Sequence, residues 1–113
     1  MFTELEQKRI EKCLLPLLKE RTDAHVMSGG TVDFSVKGHE VLLFTKRPHF
    51  QDPTLEITLE LAKFKFVRTT GLWNLFWQRA NGRWQSYEPL SSAKQIETLV
   101  KEVDSDPYGC FWG

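Results

Sequence analysis

Residues 61–88 read Leu-Ala-Lys-Phe-Lys-Phe-Val-Arg-Thr-Thr-Gly-Leu-Trp-Asn-Leu-Phe-Trp-Gln-Arg-Ala-Asn-Gly-Arg-Trp-Gln-Ser-Tyr-Glu, and the spacing of their glycines decides the fold. Thr70-Gly71 and Asn81-Gly82 are turn signals, and the segments 72–79 and 83–88 between and after them are rich in aromatic strand formers. A meandering antiparallel sheet follows. Upstream, Leu55, Ile57, Leu59 and Leu61 alternate with polar residues until the phase changes at Ala62, Phe64 and Phe66, which predicts a bulge or break near Ala62. Still earlier, Val32, Phe34 and Val36 alternate with Asp33, Ser35 and Lys37. Gly38-His39 then offers a tight turn into residues 41–44, giving a hairpin. Pro48 and Pro53 punctuate the loop after that hairpin.

Helical spacing flanks this strand-rich centre. Leu5, Ile10, Cys13, Leu14, Leu17 and Leu18 form one apolar stripe, so residues 3–21 are predicted as an amphipathic helix, with Pro16 imposing a kink or a fresh turn and residues 22–30 reading as a loop. Near the other end, Ser92 is placed to cap a helix over residues 92–105 whose stripe is Ile96, Leu99, Val100 and Val103. Asp106-Pro107 closes it and leaves a tail over residues 107–113. The predicted architecture is α+β: about five antiparallel strands over residues 31–88, with both helices packed on one face.

The 113 residues suit one domain, and 41% hydrophobic with 27% charged residues places the chain among ordinary globular proteins. No run approaches the length of a bilayer span and the first residues lack signal-peptide character, so a cytoplasmic protein without a membrane partner is expected. Cys13 and Cys110 lack the spacing of zinc or redox pairs and are read as reduced thiols. The formal net charge of zero argues against a dedicated nucleic-acid binder. The charge is nevertheless uneven: Lys63, Lys65, Arg68, Arg79 and Arg83 occupy a central stretch without acids, bordered on both sides by acidic residues.

If each glycine-containing turn is a two-residue hairpin, Phe64 pairs with Trp77, Phe66 with Leu75 and Arg68 with Trp73, while Trp77 meets Ser86 and Arg79 meets Trp84. That register gives one apolar face for the helices. The other face then carries Lys63, Lys65, Arg83, Phe44, and Phe76 directly opposite Tyr87, a polar-aromatic surface of the kind that binds proteins or stacks single-stranded bases. Arg68 and Arg79 are expected to stack on the tryptophans opposite them.

Candidate chemistry is sparse. His25, His39 and His49 show no metal-ligand spacing, and neither a metal nor a cofactor is expected. His49 with Asp52 is the best acid/base pairing available, yet the prolines around it more simply mean a rigid turn. Cys110 lacks a visible activating base and is better read as packed with its neighbours. No small-molecule site is identified. Phe111 and Trp112 are expected to dock, since large rings at a chain end fray unless anchored.

Val67-Arg68-Thr69, the run Trp73-x-Leu75-x-Trp77-x-Arg79, Trp84-x-x-Tyr87-x-Pro89 and the ending Asp104-x-Asp106-Pro107-x-Gly109-Cys110-Phe111-Trp112-Gly113 resemble a bacterial family known as domain of unknown function three-zero-two-four. The resemblance covers nearly the whole chain. It implies a bacterial or phage-borne source but carries no activity and no functional residues. The first functional reading is thus a small non-enzymatic binding or adaptor module whose protein partner, or second copy, meets the polar-aromatic face. Weak binding of single-stranded nucleic acid through the same face ranks second, and an enzyme with an unrecognised pocket third.

Overall fold

The computed structural model describes residues 2–24 and 30–112. Helix α1 (Glu4–Ala24) is followed by strands β1 (Thr31–Lys37), β2 (Glu40–Pro48), β3 (Glu56–Val67), β4 (Leu72–Gln78) and β5 (Trp84–Ser86). A 3-10 turn (Glu88–Leu90), the two-residue strand β6 (Ser92–Ala93) and helix α2 (Ile96–Ser105) complete the order. The sheet is antiparallel in the order β1-β2-β3-β4-β5, and β6 lies beside the other end of β4. Both helices pack on one face, as the α+β reading predicts.

Helix α1 begins with a capping box. Thr3 Oγ1 accepts the Glu6 N–H at 3.2 Å and the Glu6 carboxylate accepts the Thr3 N–H at 2.8 Å, satisfying two otherwise orphaned donors. No fresh turn begins at Pro16, because α1 runs through it to Ala24. Pro16 lies on the exposed side, where water can serve the carbonyl left without an N–H partner. The rest of the expected loop, including His25, lies outside the described residues. At the other end Ser92 does not cap α2. It pairs with Asn74 as part of β6, and the helix starts four residues later behind Gln95.

Turn lengths set the faces. Gly38-His39 is a true two-residue hairpin, with Gly38 at φ 60° and Lys37 paired with Glu40. The β3–β4 connection is longer than predicted: Val67 pairs with Leu72, Phe66 with Trp73, Phe64 with Leu75 and Ala62 with Trp77. The loop from Arg68 to Gly71 therefore adds two residues, an even number, and the facing of every side chain is preserved although each expected pair moves. Arg68 consequently leaves the sheet and lies over Phe66, at 5.3 Å from its centroid, instead of over Trp73.

The β4–β5 connection changes the outcome. Gln78 pairs with Trp84 and Phe76 with Ser86. The Gly82 N–H donates to the Arg79 carbonyl and the Arg79 N–H to the Arg83 carbonyl, both at 2.8 Å, with Gly82 at φ 82°. This is a three-residue loop, a turn closed by a left-handed glycine, and one extra residue reverses the facing of everything after it. Trp84 thus joins the face of Phe76, and Tyr87 turns into the core, where it is 0% exposed. Arg79 sits in this turn and does not face Trp84 across the sheet.

The predicted phase change in β3 is a bulge. Leu43 pairs with Ala62 but Phe44 pairs with Glu60, so Leu61 is the extra residue, and both Leu61 and Ala62 are buried. The core combines Ile10, Leu14, Leu17 and Leu18 of α1 and Ile96, Leu99, Val100 and Val103 of α2 with Val41, Leu43, Phe64, Trp73, Leu75 and Tyr87 of the sheet region.

Because a Cβ added at Gly82 would meet nothing within 4 Å, Gly82→Ala tests the backbone alone. It should destabilise the domain by about 1 kcal/mol through its positive φ. Urea denaturation measures this, and an unchanged midpoint would mean that the loop does not need a left-handed residue there.

Candidate functional site

The face opposite the helices is built from cross-strand rows. One row runs Ser35, Leu42, Lys63, Phe76, Ser86 and the next runs Lys37, Glu40, Lys65, Asn74. On the other side of the first row lie Asp33, Phe44 and Glu60 in register, with Gln78 beside Trp84. Phe76 and Trp84 are half-buried, and the Lys63 ammonium lies over both rings, 5.5 Å from the Phe76 centroid and 4.9 Å from that of Trp84. Phe44, 9% exposed, is shielded by Lys46 at 5.3 Å. It is not among the residues of the helix-side core.

Of the six predicted surface residues, the structure brings Lys63 and Phe76 together, sets Phe44 one row away and leaves Lys65 exposed opposite Glu40. Arg83 is exposed in the β4–β5 turn. Tyr87 does not belong to this surface. Its hydroxyl donates to the Glu102 carboxylate at 2.7 Å and its ring lies 5.1 Å from Phe111. Burial, and after it the bond to Glu102, push that hydroxyl's pKa upward. Ser86 stands opposite Phe76 where Tyr87 was expected, and the aromatic ring that joins this face is Trp84, opposite Gln78. Reading Ala80-Asn81-Gly82 as a three-residue loop with glycine last places Trp84 there, but Asn-Gly fits a two-residue turn equally well.

Electrostatically this face is balanced. Lys37, Lys46, Lys63 and Lys65 share it with Asp33, Glu40, Glu56 and Glu60, so the cationic stretch in the sequence does not produce a cationic surface. Lys46 lies 3.9 Å from Glu56.

The tail is held through Asp106, which adopts φ 42° at the end of α2. Its carboxylate accepts the N–H groups of Phe111 at 3.2 Å and Trp112 at 2.8 Å. The Trp112 indole N–H donates to the Val103 carbonyl at 2.8 Å, and the Arg21 guanidinium covers its ring at 4.3 Å. Phe111 is 4% exposed.

The groups considered for catalysis point elsewhere. His49 Nδ1 accepts the N–H groups of Gln51 and Asp52, while the Asp52 carboxylate accepts from the backbone and hydroxyl of Thr54, which lower its pKa. They form a turn in which their side chains do not bond to each other. Burial pushes the Cys13 thiol up to about 11 and also raises Cys110, with Asp106 contributing there, so both thiols are held in the less nucleophilic form. No cluster of three metal-ligating side chains occurs among the described residues. Among the described residues no helix is long and apolar enough to cross a membrane.

A twisted antiparallel sheet with two helices on one face and a tail locked by its own aspartate defines a small α+β domain. The chain belongs to the family described as Domain of unknown function (DUF3024), whose model it matches over residues 2–113. Neither a search of curated proteins nor one of solved structures finds a match.

Removal of residues 111–113 should destabilise the domain by several kcal/mol, since it strips two large rings and leaves the Asp106 carboxylate without its donors. An unchanged thermal midpoint would show that the tail is ornamental. A second expectation concerns acid. Hydrogen bonds from Arg68, at 2.8 Å, and then from Thr3 hold the Glu6 carboxyl down at about 2 from an ordinary 4.5. A depressed carboxyl stabilises above its unfolded pKa, and the contribution fades as pH falls from about 4.5 towards 2. Glu6→Gln should therefore cost stability near pH 6 and little near pH 2. Equal losses at both, measured by urea denaturation, would contradict the assignment.

Proposed function

We propose that this domain is a small non-enzymatic binding module whose helix-free sheet face receives a protein partner, in the first instance a second copy of the chain. The observation that carries this reading is the triad of Phe76, Lys63 and Trp84: two half-buried rings joined by one lysine on the side of the sheet that neither helix covers. Aromatic rings set in a polar surround are what a protein interface uses at its centre. Five strands at about 4.8 Å spacing and eight residues at about 3.3 Å give a face on the order of 600 Å², close to the ~800 Å² each partner contributes to a standard interface.

Charge supports a copy of itself as the occupant. Four lysines and four carboxylates on one face leave no net field, so nothing selects a strongly basic or acidic partner, and a two-fold arrangement can set each sign against the other. The same balance weighs against single-stranded nucleic acid. In addition, the Lys63 ammonium already occupies the ring faces on which bases would stack. Cys13 and Cys110 are free thiols, which suits a cytoplasmic setting.

Sedimentation and light scattering test this directly. The native chain should dimerise at micromolar to millimolar concentration, and Phe76→Ala with Trp84→Ala should weaken dimerisation by about tenfold or more while the monomer stays folded. A strictly monomeric native chain would overturn the self-association. Salt-sensitive oligonucleotide binding that vanishes in the same double variant would transfer the face to nucleic acid.

A further inference from the structure

A second surface lies at the margin of the sheet, away from the triad. β3 is longer than its neighbour: β4 pairs with it from Ala62 to Val67 only, while β2 accompanies it back to Glu56. Residues 56–61 therefore form a free edge. The His49 N–H donates to the Leu55 carbonyl at 2.9 Å, which fixes the alternation of this ladder. Ile57 and Leu59 direct their backbone groups at β2, and those of Glu56, Thr58 and Glu60 face outward, where no partner occurs among the described residues.

Beside this edge lies a groove of about 530 Å³ of mixed character, with Leu59, Leu61, Cys110 and Phe111 as its apolar wall and Gln78 and Arg79 as polar lining. Leu59 is 58% exposed there. On the opposite side of the edge stand the Glu56 and Glu60 carboxylates, of which Glu60 makes no ion pair among the described residues. The free edge thus offers alternating backbone donors and acceptors, the apolar side chains Leu59 and Leu61 on one side and two carboxylates on the other.

The geometry points to strand addition: residues 56–60 receive an extended peptide segment that carries basic residues at positions i and i+4 and apolar residues at i+1 and i+3. Only an extended chain matches the outward N–H and C=O groups, since its own groups repeat at the same interval. Residues opposite Glu56 and Glu60 share their side of the sheet and meet carboxylates, whereas the residues between them lie over Ile57 and Leu59 toward the groove. A second copy is the poorer occupant. Pairing the whole edge with itself centres on Thr58 and sets Glu56 of each chain against Glu60 of the other, the charge arrangement by which edges resist self-pairing.

The test uses the full chain and the peptide acetyl-Lys-Val-Thr-Val-Lys-amide, followed by backbone amide shifts. Thr58→Pro removes one outward donor without touching the β2 ladder, as proline is tolerated at a free edge, and Thr58→Val keeps the donor. The peptide should shift the Thr58 and Glu60 amides saturably. Thr58→Pro should bind about tenfold more weakly at an unchanged thermal midpoint, Thr58→Val normally, and a Glu-Val-Thr-Val-Glu peptide more weakly than the lysine form. Phe76→Ala should leave this binding intact, which separates it from the triad surface. Absence of shifts, shifts on the Phe76 face, or equal binding by Thr58→Pro would overturn strand addition. Self-association abolished by Thr58→Pro would overturn the choice of a peptide over a second copy.

Discussion

Side chains alternate along a strand, so the number of residues in each connection decides which of them meet the helices and which meet the outside. In this domain the decisive connection is the three-residue loop Ala80-Asn81-Gly82, closed by a glycine at φ 82°. With two residues there, Tyr87 would stand on the outer face beside Phe76, and Trp84 would press against the helices. With three, Tyr87 reaches Glu102 of α2 and Phe111 of the tail, and Trp84 comes within reach of Lys63. The packing of the last helix and the character of the opposite face are both consequences of one residue.

Tyr87 then ties the rest of the C-terminal half to the sheet. Its ring supports Phe111, Phe111 and Trp112 hang by their N–H groups from Asp106, and Arg21 closes over Trp112 from the end of α1. The left-handed backbone at Asp106 is what turns the chain so that one carboxylate can hold two successive N–H groups. The first helix and the last residues are thereby joined through side chains, with charge-assisted hydrogen bonds at the points where apolar area alone would be small.

Much of this was legible in the sequence. The strands, the hairpin at Gly38-His39, the amphipathic helices and the irregularity beside Ala62 follow from periodicity, because burial imposes the same period on the apolar residues that the backbone imposes on the side chains. Loop length is a different kind of information. Asn-Gly is equally at home in a two-residue turn and at the end of a three-residue one, and no local feature of Arg79 to Arg83 separates them. The tertiary context does: only the longer loop buries Tyr87, whose hydroxyl finds a carboxylate, and leaves Trp84 beside a lysine. The β3–β4 loop was misread as well, but by an even number, which moved the pairs and spared the faces. Ser92 failed as a cap because β4 still had an unpaired edge for it to join.

The same accounting of edges explains why the sheet can carry two unlike surfaces without conflict. On its outer side β4 is fully served, first by β5, then by the Tyr87 N–H and the Ser91 carbonyl that both bond Leu75, and then by β6. Among the described residues the strand segments after β4 thereby all lie along β4, and none accompanies the projecting half of β3 on that side. The bulge at Leu61 adds to the separation. It rotates that half of the strand relative to the rest, so that Glu60 faces outward in register with Phe44 while Leu59 stays on the helix side. The face around Lys63 presents side chains, and the edge at Thr58 presents backbone groups. A side-chain substitution on the face therefore leaves the backbone groups of the edge in place.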